Sequence, residues 1–340
     1  MHTLESVARA MSALPPATPA EFGAELSRQV ARLIPHDGYQ LRGLDPGTGV
    51  GCLVVSEGGY RAAAARRLEI NECGGRDLHS LAALTGGDRR AGILGTGAIE
   101  ERHSVRLHDI MAAEGFGSEL RVALIHAGVT RGTLTLLRGR GSRPFSAAEA
   151  GHAERLSAPL AVGLKRFVAG RRPRPPGGGL APGVVVVEAD DTVRASAGGR
   201  AWLSRLLPPP PAEAGDDALF ANLWSLVYAA RRAGGEALTR IPAGGGWLAM
   251  QAQPFEAAGP GAVVITIQPA SADLLLPAFA SWHDITPAER AVLDQVRRGL
   301  PAKQIATRLL LSPHTVNDHL KSIYRKTGVT GRDELLAAWA

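Results

Sequence analysis

The sequence predicts a multidomain α+β protein: two mixed units, each a sheet with helices, followed by an all-α unit of four short helices. Three observations lead there. Alternating apolar segments bounded by turn residues recur up to about residue 268 and then stop. A Pro-, Gly- and Arg-rich stretch, AGRRPRPPGGGLAP over 169–182, divides those segments into two groups. From 281 onward, helix caps and helical periodicity replace alternation. The expected division is an N-terminal helical segment 1–17, a mixed unit 18–168, a linker 169–182, a second mixed unit 183–270, a linker 271–280 and the helical unit 281–340.

Composition agrees with two or three domains in 340 residues, and 45% hydrophobic content is ample for their cores. Aromatic residues are only 5% of the chain, so Leu, Val and Ala must fill those cores. Cys52 and Cys73, the only cysteines, are too few for a disulfide framework or a cysteine-rich zinc site. The start, Met1 to Glu5, lacks a charged region leading into an apolar core, and no run approaches the ~18 apolar residues of a membrane span. The expectation is a soluble, cytoplasmic protein.

In chain order, a short helix over 5–14 precedes Pro15-Pro16. Thr18-Pro19-Ala20-Glu21 is a capping box opening a helix with Phe22, Leu26, Val30 and Leu33 on one face. Tyr39–Leu44 and Val50–Ser56 read as a hairpin across Asp45-Pro46-Gly47. Residues 59–71, 76–84 and 103–114 favour helix. Ser118–His126 and Thr130–Arg138 are strands, and Ser146 with Glu149 caps a helix carrying Leu156, Leu160, Leu164 and Phe167, with a kink expected at Pro159. Beyond the linker come strands 183–188 and 192–196, helices 198–206 and 217–233, and strands 237–241, 247–253 and 262–268.

The last unit repeats two cap-then-proline signals, Thr286-Pro287 with Glu289 and Ser312-Pro313, giving helices over 287–298, 301–309, 313–327 and 332–339. The whole chain carries a net charge of +6, and the segment 297–326 reaches +6 by itself: Arg297, Arg298, Lys303, Arg308, Lys321, Arg325 and Lys326 oppose only Asp318. Three of the four lysines lie there; the fourth is Lys165. Such a cationic face on a compact helical unit fits a phosphate-backbone binder. Helices 301–309 and 313–327, joined by the tight Leu311-Ser312 turn, have helix-turn-helix spacing.

The segment TPAERAVLDQVRRGLPAKQIATRLLLSPHTVNDHLKSIYRKTGVTGRDELLAA resembles the DNA-binding domain of the LuxR/GerE family, also carried by NarL-type response regulators. Helix, hairpin, helices, hairpin and closing helix in the first unit resemble a GAF sensor domain, chiefly over Gly115–Phe167. The ββααβββ order and VVVVEADDTVRAS opening of the second are similar to a PAS domain. The fold class expected is therefore GAF-like and PAS-like sensor domains followed by an all-α four-helix LuxR-type helix-turn-helix domain, as in a bacterial transcription regulator.

Within 313–327, Val316, Leu320, Ile323 and Tyr324 are expected to face Val292, Leu293, Val296, Ile305 and Leu309, leaving His314, Asn317, Asp318 and Lys321 outward. The resemblance implies that Asn317, Asp318 and Lys321 read bases: Asn pairs with adenine, Lys with guanine, and Asp accepts from cytosine N4. Lys303, Ser312, Thr315, Ser322, Arg325 and Lys326 are placed for the phosphate backbone. His319 fits a packed position as well as a phosphate contact. The Asn317-Asp318 pair stands where the family often has a basic or apolar residue, so the target sequence does not carry over. The expected partner is double-stranded DNA bound by a homodimer, because paired half-sites demand two readers.

Other chemistries find no support. Gly47-Thr48-Gly49-Val50-Gly51 leads into a strand, whereas a dinucleotide loop must open a helix, so a hairpin turn is expected. No G-x-x-x-x-G-K-[ST] or G-x-S-x-G occurs, and His152-Ala153-Glu154 lacks a P-C-x-x-C partner. Neither the acids and lysine of a phospho-receiver nor the tryptophan–tyrosine–aspartate pattern of acyl-homoserine-lactone sensors is evident. No cofactor, metal or enzymatic activity is expected. Asn71, Glu72 and Cys73 are candidates to line a sensor pocket, but no residue pattern names its ligand. A regulator whose front units are scaffolds only, and an enzyme fused to a DNA-binding module, remain the alternatives.

Overall fold

Two five-stranded sheets, antiparallel at every strand pair, carry the chain up to residue 269 in a computed structural model. The structure describes Ser6, Val7, Arg9 and residues 18–75, 77–170, 180–206, 215–243 and 246–337. Most of the expected helix 5–14, and most of the linker 169–182, lie outside these residues.

The first unit begins with α1 (Pro19–Ala31). Glu21 N donates to Thr18 Oγ1 at 3.2 Å, and Thr18 N donates back to the Glu21 carboxylate at 2.8 Å, the reciprocal cap the sequence predicts. β1 (Gly38–Leu44) and β2 (Gly51–Glu57) form the hairpin. Its turn is the GTGVG stretch: the Asp45 carboxylate accepts from Gly47 N at 2.8 Å, and Gly49 sits at φ +72°, which only glycine adopts without cost. Then come α2 (Ala65–Gly74), α3 (Leu81–Gly86), β3 (Ala91–Leu94), β4 (Phe116–His126), β5 (Val129–Gly139) and α4 (Ala147–Ala169), in strand order β2-β1-β5-β4-β3.

Two details differ from expectation. The strand β3 was not anticipated, because four residues are too few to display alternation. The helix expected over 103–114 is broken into a 3-10 segment Ile99–His103, a π-helical segment Arg106–Met111 and a last turn Ala112–Glu114. Pro159, where a kink is expected, lies inside α4. One turn ahead of that proline, Ser157 Oγ accepts from Ile125 N at 3.1 Å and donates to Ala123 O at 2.6 Å, serving β4 where β3 has ended.

The two faces of this sheet differ chemically. Leu120, Val122, Leu124, Leu134 and Leu136 pack with Phe22, Leu26, Leu156 and Leu160 of α1 and α4. The other face is buried but ionic. Glu119 accepts from Tyr60 Oη at 2.5 Å and lies 3.0 Å from Arg106, while Arg121 reaches Glu72 at 2.7 Å. Asp77 closes this network, accepting from Ser104 Oγ at 2.7 Å, Arg106 N at 2.7 Å and Asn71 Nδ2 at 2.8 Å. Alternation along β4 is thus real, with polar residues turned to a second interior rather than to water.

The second unit holds β6 (Gly183–Val187), β7 (Val193–Ala195), α5 (Ala197–Leu206), α6 (Gly215–Phe220), α7 (Trp224–Ala233), β8 (Ala237–Ala243), β9 (Gly246–Pro254) and β10 (Val263–Pro269). Its strand order, β7-β6-β10-β9-β8, repeats that of the first sheet. The single helix expected over 217–233 is two, and the break lets Phe220, Leu223 and Trp224 all turn inward.

The segment 271–280, expected to be a linker, is α8 (Ala272–Trp282), capped by Ser271. Leu275, Leu276, Phe279 and Trp282 are buried in the same apolar cluster as α4 and the C-terminal helices. A buried ion pair holds its first turn. Arg240 of β8 donates to both oxygens of Asp45 at 3.1 and 2.8 Å, and its Nε donates to Leu274 O. Asp45 and Arg240 side chains are 0% and 6% exposed. Removing one partner of such a pair strands a charge in the interior. Asp45→Ala is expected to cost roughly 3–5 kcal/mol in a urea unfolding experiment, and a loss within experimental error would contradict this role.

Candidate nucleic-acid interface

Past α8, four helices follow where the sequence places them: α9 (Pro287–Arg297), α10 (Ala302–Leu309), α11 (Pro313–Thr327) and α12 (Arg332–Ala337). Thr286 and Glu289 form a reciprocal cap on α9, with Thr286 N donating to the Glu289 carboxylate at 2.7 Å. Ser312 caps α11, accepting from Thr315 N at 3.0 Å. Gly328, at φ +74°, ends α11 in the left-handed conformation that suits glycine. The turn between α10 and α11 passes through Leu310, a non-glycine residue at φ +55° whose side chain is 92% exposed.

Val316, Leu320 and Ile323 of α11 are buried with Val292, Leu293 and Val296 of α9 and Ile305 of α10. Tyr324 and Leu309 border that core. With this face fixed inward, His314, Asn317, Asp318 and Lys321 lie exposed on the other. They form a charged strip: His314 Nε2 is 3.4 Å and Lys321 Nζ 3.8 Å from the Asp318 carboxylate. His319 is half-buried beside it.

The same 56 residues match a family by sequence. Residues 283–338 fit the model described as "Bacterial regulatory proteins, luxR family". The C-terminal unit is a LuxR-family helix-turn-helix domain. A protein of Mycobacterium tuberculosis described as an HTH-type transcriptional regulator is 46% identical over 55 residues, 16% of this chain and 6% of that protein. The response regulator Rre1 of Synechocystis is 42% identical over 53 residues, 16% of this chain and 23% of that protein. The matched segment is thus a small part of each relative. Among solved structures, Escherichia coli SdiA aligns over 98% of this chain and 94% of its own at 13% identity, with a TM-score of 0.37, too low to define a shared arrangement.

The basic residues of the LuxR-family domain fall into two groups. Lys303, Arg308, Lys321 and Arg325 are exposed, as is the cap Ser312, and Thr315 is half-buried with its hydroxyl 2.9 Å from Ser312 Oγ. Arg297 instead meets Asp273 of α8 at 3.0 Å, and Arg298 meets Asp294 at 3.0 Å. Lys326, expected at a phosphate, is engaged within the domain: its ammonium donates to Glu289 at 2.6 Å and is 22% exposed. Ser322, also expected at a phosphate, is half-buried and bonds to the same carboxylate. Sequence spacing placed both on the outer side of α11 and could not show the acid capping α9 beneath them.

Glu289 therefore works twice, capping α9 and receiving α11. Burial would raise its pKa, but hydrogen bonds from Lys326, Ser322 and the Thr286 backbone prevail and hold it at about 2. His283 faces Lys326 O through Nδ1 at 3.2 Å, and burial, outweighing that bond, pushes it down to about 4. Both folded-state values lie below the ordinary ones, 4.5 and 6.5, so the unfolded chain binds more protons as the pH falls. Stability is full above pH 6.5, declines toward pH 4 as His283 resists protonation, and declines again between 4.5 and 2 as Glu289 is neutralised. Glu289→Gln should reduce the loss between pH 4.5 and 2 by on the order of 2 kcal/mol in unfolding curves measured from pH 7 to 2, leaving the share carried by Glu149, which is also held at about 2. An unchanged acid profile would contradict the assignment.

Among the described residues no group of three or more His, Cys, Asp or Glu side chains is arranged to hold a metal ion, and no helix is long and apolar enough to cross a membrane. A shallow cleft of about 570 Å³ opens on the first unit beside Gly95, Glu101, Arg102, His108, Phe116 and Arg140. Of the three residues expected at a pocket, Asn71 lines a second cleft of about 390 Å³ with Arg67, Ile70, Gly74, Asp77 and Val105, and Glu72 and Cys73 are not among its lining residues. Asn71 and Glu72 are bonded into the ionic network, and Cys73 is half-buried with its thiol pushed up by burial.

Proposed function

We propose that this chain is a sequence-specific DNA-binding transcriptional regulator that acts as a homodimer and is controlled through its two sheet units. The observation that carries the reading is the exposed strip on α11, set on a helix whose opposite face is locked into the domain core. In this reading the first turns of α11 enter the major groove. Asn317 pairs with adenine, Lys321 with guanine, and Asp318 accepts from a cytosine amino group. Lys303, Arg325, Ser312 and Thr315 hold the phosphates, while Lys326 and Ser322 serve Glu289. GAF-like and PAS-like roles for the units 18–168 and 183–270 belong to the same proposal, with input altering the relative arrangement of two reading domains.

A specific observation favours a second reading, in which the first unit is an interaction scaffold. Arg106, Arg121, Glu119, Glu72 and Asp77 occupy the interior face of its sheet with one another. A small molecule entering there would have to displace buried ion pairs. Native mass spectrometry of the purified chain separates the two readings: a retained small molecule supports sensing, and its absence across growth conditions supports the scaffold.

The full-length chain should bind a duplex that it has itself selected from a random pool, with log K falling linearly in log salt. Asp318→Ala should change the preferred base at one position of each half-site. Lys303→Ala should weaken all sequences alike and shorten the salt slope by about 0.9. Binding that is absent, or indifferent to salt, would sink the proposal.

A further inference from the structure

The helix α8 is held at both ends by the two sheet units, and its far end opens directly onto the DNA-binding domain. At the near end, Arg240 of the second sheet and Asp45 of the first meet Leu274 O. At the far end, Arg131 of β5 donates to Ser281 Oγ at 3.2 Å and to Asp284 at 3.1 Å, with its guanidinium 5.1 Å from the centre of the Trp282 ring. Lys165 of α4 binds the second oxygen of Asp284. Asp284 itself stands at φ +52°, so the chain reverses at this residue before Thr286 caps α9.

We infer that Arg131, Lys165 and Asp284 are positioning residues for DNA recognition: they fix the direction in which the reading helix leaves the first sheet unit. The inference rests on the reading that α11 binds DNA and adds how that helix is aimed. Arg131 is 1% exposed and its Nε has no partner, so Asp284 is its only carboxylate counter-charge among the described ion pairs. The restraint then passes along a continuous chain of contacts. His283, next to Asp284, bonds through Nδ1 to Lys326 O at the end of α11, and Lys326 is fastened to Glu289 at the start of α9. Two points on the reading domain are thereby tied to one point on β5. None of these groups lies on the exposed strip of Asn317, Asp318 and Lys321, so the junction sets orientation without covering the reading face.

The geometry also separates orientation from contact. Losing the junction leaves every exposed cation of the reading domain in place, so the number of phosphates neutralised stays the same. What is lost is the fixed angle that lets two linked domains meet two half-sites together, which is an effective-concentration effect. Asp284→Asn isolates the charge, because asparagine tolerates the left-handed backbone as well as aspartate does.

The test uses the 340-residue chain carrying Cys73→Ser, with spin labels at Arg155→Cys on α4 and Gln304→Cys on α10, both exposed positions outside the proposed DNA contacts, mixed with an excess of unlabelled chain so that only distances within one protomer are read. The probe is the duplex selected by the wild-type chain. The expected result is one narrow label-to-label distance in the parent and a broad or displaced distribution in Asp284→Asn. Operator affinity should fall at least tenfold with the salt slope unchanged. Lys165→Met, which leaves Arg131 paired, should show the same pattern in weaker form and serves if Asp284→Asn does not fold. A parent-like distance distribution, a broadened one with unchanged affinity, or an affinity loss accompanied by a shallower salt slope would each overturn the inference. A parent chain that binds no DNA at all would instead remove the function proposed above.

Discussion

The contact between Arg240 and Asp45 is the interaction on which the arrangement of the units depends. Placing a guanidinium and a carboxylate in a site of 6% and 0% exposure costs more desolvation than one hydrogen bond returns. The site compensates with hydrogen bonds from several elements. Asp45 takes the two Arg240 Nη1 bonds, Arg240 N and the turn amide of Gly47, while Arg240 Nε goes to Leu274 O. These groups come from the first hairpin, the second sheet and the start of α8. A change in any one of the three is felt by the others because no solvent can replace a lost partner. Thr239 Oγ1 donating to Gly51 O at 2.9 Å adds a second bond across the same seam.

From that seam the apolar cluster continues without a break through Leu275, Phe279 and Trp282 into Ile285, Val292 and Ile323. The sheet units and the LuxR-family domain therefore share a core. The first sheet turns one face to aliphatic helices and the other to Arg106, Glu119 and Arg121. An ionic interior of this kind is stiff in one respect: each charge has one arrangement that satisfies it, and intermediate positions are penalised by the low dielectric. Such an interior favours discrete rearrangement over graded deformation.

How much of this was legible in the residues varies along the chain. The four terminal helices were read nearly to the residue because Thr286, Pro287, Ser312, Pro313 and Gly328 state each boundary through local hydrogen bonding and backbone preference. The two sheets were legible as alternation, but β3 was not, since Ala91-Gly92-Ile93-Leu94 acquires its strand identity only from pairing with β4. The helix α8 was hidden by Pro277 and by its position between two units, where an apolar run looks like a connector. Among the site residues, the outward set Asn317, Asp318 and Lys321 followed from the periodicity of Val316, Leu320 and Ile323. Lys326 and Ser322 did not, because their partner Glu289 lies 37 and 33 positions earlier and meets them only through tertiary packing. Lys165 carried a faint signal as the only lysine outside the last unit. Nothing in local sequence links it to Asp284.

The charge on the reading strip follows from this distribution of partners. An aspartate facing DNA is repelled by phosphates, so Asp318 is tolerable only where nearby cations offset it and a base donor can reach it. His314 and Lys321 stand one helical turn to either side, at 3.4 and 3.8 Å, and supply the offset before DNA arrives. Binding as proposed would exchange those weak, solvent-screened contacts for a base amino group on Asp318 and a guanine edge on Lys321. A wrong base leaves the carboxylate desolvated without a donor, and the penalty for that is larger than the reward for the right one. In the proposed DNA-binding mode Asp318 would contribute to selectivity mainly by rejection. Affinity in that mode would come from Lys303, Arg325 and the exposed cap of α11, which are not paired with an acid among the described ion pairs.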